Sequence, residues 1–152
     1  PRLIERAGND RGGGGAITAL LTVLADGDDL VSDPVVDTAR GVLDGHILLD
    51  RSIAARGRFP AIDVGNSLSR TMSDCVTPAH LAAASQFRRQ LALVEGNRDL
   101  VAMGAYQHGQ DQALDRALEQ ADVLEAFLAQ EQAETSSFEP TLATLIAGWG
   151  GA

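Results

Sequence analysis

Hydrophobic residues follow two different patterns along this chain of 152 residues. Before Thr77, short aliphatic and β-branched runs alternate with short helical segments. After Thr77, apolar residues recur every three or four positions, which is typical of amphipathic helices. The change predicts an α/β part over residues 1–76 and an all-α part over residues 77–152.

The first part contains several apolar runs that predict strands. The longest covers residues 16–24 and is continuous, as expected of a strand buried on both faces. Other elements are predicted in this order: a turn at 26–29, a helix over 34–43 capped by Asp33, a strand at 47–49, helical turns at 52–55 and a strand at 61–64. Alternating strands and helices predict a parallel sheet covered by helices. Because no P-loop strand is present, the sheet resembles the end of a larger one.

The second part is predicted to be helical throughout. Thr77 and Pro78 form an N-cap and first-turn pair, and the spacing of the apolar residues after them predicts a long helix. The remaining predictions are the apolar face Ala84, Phe87, Leu91 and Val94, a weak point or end at Gly96-Asn97, a loop at 104–110, a second helix over 114–128, a capping box at Ser136 and Glu139 before a short third helix, and a frayed tail over 149–152.

The amino-acid composition excludes several kinds of chemistry and of binding partner. All 12 basic residues are arginine, which excludes from this chain the P-loop and Schiff-base chemistry that require lysine. The net charge of −9 argues against nucleic acid as a partner, and the longest apolar run is too short to be a transmembrane segment. The single cysteine, Cys75, fits a reducing cytoplasmic compartment. A start at Pro1 suggests a processed or truncated product.

A few residues are candidates for a functional site. Residues 12–15 are four consecutive glycines, which favour a flexible loop before a strand over a phosphate cradle, because a cradle normally follows a strand and opens a helix. The three histidines lack metal-site spacing. Arg70 follows a strand and a short polar segment, where open α/β sheets bind ligands, so it is either a phosphate-stabilising cation or a surface ion pair. Phe59, just before Pro60, is either a platform for a base or part of the core.

Several uncommon sequence words occur in order along the chain. They are DDL at 28–30, DPVVD at 33–37, LDGHILLDR at 43–51, RFPAIDV at 58–64, SLSR at 67–70, LVAMGAYQ at 100–107 and FL at 127–128. Together they resemble the type III secretion and flagellar export ATPases, which are relatives of the catalytic and regulatory subunits of rotary ATP synthases. The resemblance covers nearly the whole chain.

The resemblance implies a fold and a set of site residues. Residues 1–76 would be the C-terminal part of a RecA-like nucleotide-binding domain, and residues 77–152 a C-terminal helical domain. Arg70 matches the arginine finger that reaches the γ-phosphate in a neighbouring subunit, and Phe59 matches the aromatic residue that stacks on adenine. Tyr106 and Gln107 match a loop near the adenine pocket, which could instead serve the helical domain.

The resemblance also implies cofactors and partners. The P-loop, the acidic Mg²⁺-binding strand and the catalytic glutamate would precede Pro1, so ATP and Mg²⁺ belong to the full-length protein and none is expected on this part alone. Expected partners are five further copies in a homo-hexamer, a coiled-coil stalk protein, a regulator or stator protein and chaperone–substrate complexes, with the ring at the cytoplasmic inner-membrane base of the export apparatus. The system is an injectisome or a flagellum, with a lean toward the injectisome. The alternative function is a non-catalytic module that binds a stalk protein.

Two departures from the family pattern flank Arg70. Gly65-Asn66 stands where Leu-Ala is more usual, and residues 71–74 replace a more usual Val-Met-Pro. They put the rigidity of this segment in doubt more than the identity of the finger.

Overall fold

The computed structural model describes residues 6–24 and 34–151, which form two compact units, one up to His46 and one from Ile47 onward. The elements run in chain order as β1 (Gly8–Asn9), β2 (Ala16–Ile17), α1 (Pro34–Val42), β3 (Gly45–Leu49), α2 (Arg51–Ala55), β4 (Ile62–Ser69), α3 (Met72–Cys75), α4 (Pro78–Gly96), α5 (Arg98–Ala102), α6 (Gln112–Glu119), α7 (Ala121–Leu128) and α8 (Phe138–Trp149). After β4 every described element is helical, which confirms the predicted change of pattern.

The first unit opens with a very short hairpin in which β1 and β2 pair antiparallel. Since β2 ends at Ile17, the predicted strand over residues 16–24, buried on both faces, is wrong. Leu20 and Leu24 are 92% and 91% exposed. A strand buried on both faces needs a neighbour on each side and a layer over each face. The described residues of this unit give β2 only the two-residue β1.

Helix α1 confirms the predicted helix after Pro34 and ends one residue short of its predicted end. It buries Val36. The predicted Asp33 cap and the predicted turn at 26–29 lie outside the described residues.

Strands β3 and β4 hydrogen-bond to each other as a two-stranded sheet. Between them, α2 is capped by Asp50, whose carboxylate accepts a hydrogen bond from the Ser52 amide at 2.6 Å. Hydrogen bonds from Ser52 hold the pKa of Asp50 below its ordinary value. The predicted strands and helical turns are confirmed here. However, β4 continues to Ser69, through the short polar segment that was predicted to follow the strand at 61–64.

Helix α4 is the central element of the second unit. Its N-cap is Thr77, whose hydroxyl accepts a hydrogen bond from the His80 amide at 3.3 Å, as the sequence predicts. The helix buries Ala83, Phe87 and Leu91, and it packs against α6, α7, α8 and β4. The predicted apolar face is confirmed at Phe87 and Leu91, and Val94 is partly buried against the same core, but Ala83 is buried where Ala84 was predicted.

Trp149 lies in the core and not in a frayed tail, so that prediction is wrong. It is the last residue of α8 and is only 5% exposed. Its ring meets the Phe87 ring edge-on at 4.8 Å, and its indole Nε1 donates a hydrogen bond to Gln90 Oε1 at 2.7 Å. The contacts come from α4, on which α8 packs, so no local pattern could reveal them.

Two further helix predictions need correction. The helix predicted over 114–128 is two helices, α6 and α7, separated at Gln120, although no residue typical of a helix break stands there. The predicted capping box at Ser136 and Glu139 does not form, because α8 begins at Phe138 with Ser137 as its N-cap. The Ser136 hydroxyl instead accepts a hydrogen bond from Gln130 Nε2 at 3.2 Å.

Candidate functional site

Phe59 lines an open cleft of about 800 Å³ in the second unit. Phe59 is 55% exposed, so it does not pack in the core. The other lining residues are Gly57, Pro60, Ala129, Gln130, Glu131, Gln132 and Glu134. The Gln130 amide donates a hydrogen bond to the Phe59 carbonyl at 2.7 Å, which ties this wall to the segment after α7. An exposed aromatic face in a cleft can stack on a planar ring.

An ion-pair network centred on the buried Arg58 lies beside the cleft. The Arg58 guanidinium is buried, and its Nη1 lies 3.3 Å from Glu125 on α7 while its Nη2 lies 3.7 Å from Glu95 on α4. Arg98 also contacts Glu125, at 3.3 Å. Burial raises the pKa of Glu95 above its ordinary value, in spite of the nearby Arg58 charge. Since Arg58 precedes Phe59 directly, the network fixes the backbone from which the ring projects.

Arg70 is exposed and follows the last residue of β4. It is not among the described residues that line the cleft beside Phe59. The cleft beside Phe59 therefore does not bring together the two candidate residues that the sequence singled out. Arg70 sits at the strand end, where the sequence placed it.

Hydrogen bonds that involve side chains hold the end of β4, and they come from within β4, from β3 and from α4. The Asp63 carboxylate accepts from the Asn66 amide at 2.9 Å and from Asn66 Nδ2 at 2.7 Å. The Ser67 hydroxyl donates to the Asp63 carbonyl and accepts from the Leu48 amide of β3 at 3.0 Å. Arg88 of α4 donates to the carbonyls of residues 65 and 67. The segment before Arg70, whose rigidity the sequence left in doubt, is thus well anchored.

Tyr106 and Gln107 lie elsewhere in the second unit, and neither lines the cleft beside Phe59. The Tyr106 hydroxyl donates to Asp115 Oδ1 of α6 at 2.7 Å. Burial, and then this hydrogen bond, raise the pKa of Tyr106, and the same bond lowers the pKa of Asp115. The Gly109 amide also donates to Asp115, at 2.8 Å. These contacts favour a role for the loop within the helical part.

The four glycines at 12–15 form the turn of the β1–β2 hairpin. Gly13 and Gly15 have φ values of 74° and 142°, which only glycine adopts readily. The Gly14 amide donates to Asp10 Oδ2 at 3.1 Å. Hydrogen bonds from the Gly12 amide first, and then Gly14, hold the pKa of Asp10 below its ordinary value. A carboxylate already bonded to these amides opposes a phosphate at this loop.

The histidines do not converge on a metal site. In residues 6–24 and 34–151 no group of three or more His, Cys, Asp or Glu side chains could hold a metal ion. His80 lies 6.2 Å from the Phe138 ring, and His108 lies 3.7 Å from both Asp115 and Glu119. No helix in the described part of the chain is both long and apolar enough to cross a membrane.

Sequence reasoning missed the residues that hold the site. Arg58, Asp63 and Arg88 anchor the Phe59 and Arg70 segments. Arg58 and Asp63 lie within the sequence word at 58–64, but that word does not reveal their partners, and Arg88 lies in none of the words. Arg58 and Glu125 are 67 positions apart, and Arg88 is 23 positions from Gly65. Only the packing of α4 and α7 brings these pairs together.

Comparison with known families places the two parts of the chain. The nucleotide-binding domain of the ATP synthase alpha/beta family matches residues 1–69, and the C-terminal domain of the type III secretion ATPase EscN matches residues 76–147. The protein is therefore of the class that joins an ATP-synthase-type nucleotide-binding domain to a helical C-terminal domain. This confirms the predicted α/β and all-α fold class.

Individual relatives agree with this class. The chain is 48% identical to a flagellum-specific ATP synthase of Salmonella typhimurium over 95% of its own length and 32% of the relative. It is 47% identical to a type 3 secretion system ATPase of Xanthomonas euvesicatoria, over 95% and 32%. It also superposes on the assembled ATPase EscN of enteropathogenic E. coli, solved with its central stalk EscO, with a TM-score of 0.83, 38% identity and coverage of 97% and 34%.

The chain belongs to the family of type III secretion and flagellar export ATPases. It spans about a third of the length of the curated relatives that it matches.

Proposed function

We propose that this chain is the C-terminal part of a hexameric ATPase that energises type III protein export, by releasing chaperones and unfolding secreted substrates. In this proposal Arg70 is supplied in trans to the γ-phosphate bound by a neighbouring subunit. Phe59 stacks on the adenine bound by its own subunit. The ring sits at the cytoplasmic base of the export apparatus, on the inner membrane.

The observation that carries the proposal is the separation of the two candidate residues. Phe59 offers an exposed ring in an open cleft, while Arg70 stands outside that cleft at the end of a well-anchored strand. A single nucleotide site within one chain would place both residues around one pocket. Two separate ligand-contacting positions are what a ring requires when each site is shared between neighbours.

The chemistry of Arg70 follows from its side chain. Transfer of the γ-phosphoryl group spreads negative charge over its oxygens, and a planar, permanently charged guanidinium stabilises that charge. ATP and Mg²⁺ are held, in this proposal, mainly by parts of the full-length protein outside this chain, because the chain has no lysine for a P-loop. The chain alone should therefore not hydrolyse ATP.

The test is the Arg70→Ala variant of the full-length protein. Turnover should fall about a thousandfold or more, while binding of ATP, measured by calorimetry or with a fluorescent analogue, stays close to wild type. Arg70→Lys keeps the charge but loses the planar fork, so it should restore only a small part of the activity. Near-normal ATP hydrolysis by Arg70→Ala would contradict the assignment of Arg70 as the arginine finger.

The helical part supports a second element of the proposal, contact with a coiled-coil stalk. Its exposed acidic residues include Asp111, Glu119 and Asp122, and opposite charge on a stalk protein would steer the two together. A regulator or stator protein and chaperone–substrate complexes are further proposed partners. A pull-down of the matching stalk protein at low salt, lost after Glu119 and Asp122 are changed to Gln and Asn, would support the contact. Absence of binding at every salt concentration would reject it.

The relatives come from both kinds of export system, with 48% and 47% identity to a flagellar and a secretion ATPase. We keep the injectisome as the proposed system and the flagellum as the alternative. A deletion strain decides between them: loss of effector secretion with normal swimming supports the injectisome, and loss of swimming supports the flagellum.

A further inference from the structure

We infer that Arg88 is a positioning residue for Arg70, an inference that rests on the proposed function of Arg70. Arg88 lies on the exposed side of α4. Its Nη2 donates hydrogen bonds to the carbonyl oxygens of Gly65 at 3.1 Å and of Ser67 at 3.2 Å. One terminal nitrogen of the guanidinium thus bridges two backbone acceptors of β4, three to five residues before the finger.

The geometry of a strand explains why one nitrogen can reach both acceptors. Carbonyl groups two residues apart point to the same edge of a strand. In the described structure β4 has a single strand neighbour, β3. Arg88 therefore satisfies two carbonyls of β4, and it connects the strand directly to the central helix of the unit. A charged donor makes these hydrogen bonds stronger than neutral ones.

The same few residues are also held within β4 itself. Asn66 is bound to the Asp63 carboxylate through both its amide and its side chain, and Asp63 is buried. These two anchors act on residues 63–67, while Arg70 itself is exposed. Arg88 and the Asp63–Asn66 pair therefore both constrain the backbone from which the finger leaves the strand.

A positioning role has a defined kinetic consequence. A catalytic group displaced by about 1 Å loses on the order of a hundredfold in rate. Loosening the end of β4 should thus lower kcat through Arg70. It should leave the KM for ATP unchanged, since neither Arg88 nor Asn66 lines the cleft beside Phe59.

The experiment compares variants of the full-length protein in an ATPase assay. Arg88→Ala should lower kcat about tenfold to a hundredfold, with KM for ATP and thermal stability close to wild type. Arg88→Lys should recover part of the rate, because an ammonium can still donate to a carbonyl. Asn66→Ala should show the same defect as Arg88→Ala by an independent route. Arg89→Ala is the matched control: Arg89 is the next residue of α4, is exposed and takes no part in these hydrogen bonds, so its kcat should stay at wild type.

A double variant separates positioning from an independent role. If Arg88 acts only through Arg70, then Arg88→Ala combined with Arg70→Ala should be no slower than Arg70→Ala alone. A wild-type kcat for Arg88→Ala, or an equal fold-loss from Arg88→Ala in the presence and absence of Arg70, would overturn the inference while leaving the role of Arg70 intact. Full activity of Arg70→Ala would overturn the proposed function, and the inference with it.

Discussion

The packing of Trp149 gives the sharpest test of the fold, because the Trp149→Ala variant removes the indole ring and its contacts. This residue closes the core formed with Ala83, Phe87, Leu91 and Leu124, although it stands only three positions from the end of the sequence. The variant should destabilise the helical part strongly, because the ring contributes both apolar burial and specific contacts.

The size of the effect follows from those contacts. Truncating a buried tryptophan to alanine costs about 3–5 kcal/mol. Within that total, the edge-on contact with Phe87 at 4.8 Å contributes about 0.5–1.5 kcal/mol, and the hydrogen bond to Gln90 at 2.7 Å about 1 kcal/mol. Domains of this size are stable by about 5–15 kcal/mol, so the variant loses a large share of its stability.

Urea unfolding of the 152-residue chain, followed by far-ultraviolet circular dichroism, measures the loss without relying on the removed fluorophore. Trp149→Phe should lose less, about 1–2 kcal/mol, because it keeps an aromatic ring but not the indole donor. Phe138→Ala is the matched control, since Phe138 is an exposed aromatic residue on the same helix, α8. Its loss should stay below about 1 kcal/mol. If Trp149→Ala were as stable as Phe138→Ala, α8 would not pack on α4 through this ring, and the core described above would be wrong.

Two further predictions concern the site and its surroundings. Phe59→Ala in the full-length protein should raise the KM for ATP by about tenfold, because it loses a stacking contact worth about 1–3 kcal/mol. Phe59→Tyr keeps the ring and should match wild type. An unchanged KM in the alanine variant, measured by steady-state kinetics, would reject the stacking role. Asp115→Asn should destabilise the chain at neutral pH, and this loss of stability should shrink as pH falls. The reason is that the pKa of Asp115 is lowered in the folded state. The stability that the Asp115 carboxylate contributes is therefore present above its ordinary pKa near 4 and is lost as pH falls through its folded pKa. Urea titrations of both proteins between neutral and acid pH measure this, and a deficit that stays constant would contradict the role of the Tyr106–Asp115 hydrogen bond.

Local patterns predicted the elements whose boundaries are set by neighbouring residues. Thr77 caps α4 through its own hydroxyl, and the apolar face of that helix follows the helical period. Short apolar runs likewise predicted the strand at 47–49 and the start of β4. Phe59 and Arg70 were singled out by their local context, beside Pro60 and after a strand, and the resemblance to a known family then gave each a predicted role.

Features fixed by distant residues were not predictable in the same way. Arg88 hydrogen-bonds to the Ser67 carbonyl of β4 from 21 positions along the chain, and the burial of Trp149 depends on α4, to which it is linked through Gln90 at a separation of 59 positions. The apolar run at 16–24 reads as a buried strand, yet in the described structure it has neither the neighbours nor the covering layers that such a strand needs. A pattern states what a segment can bury, and only the rest of the fold decides whether it is covered.

The central claim is that Arg70 completes a site in the neighbouring subunit, and a subunit-mixing assay tests it most directly. Arg70→Ala subunits of the full-length protein are mixed with subunits whose P-loop lysine, expected outside this chain, has been replaced. Each parent is inactive alone, but a subunit of the second kind still carries Arg70 and can serve a neighbour of the first kind. With random mixing in equal amounts, about a quarter of the sites should hold both an intact P-loop and a finger, and ATPase activity should return to about that fraction of wild type. If the mixed rings stay as inactive as their parents although they assemble, Arg70 does not act in trans and the account is contradicted.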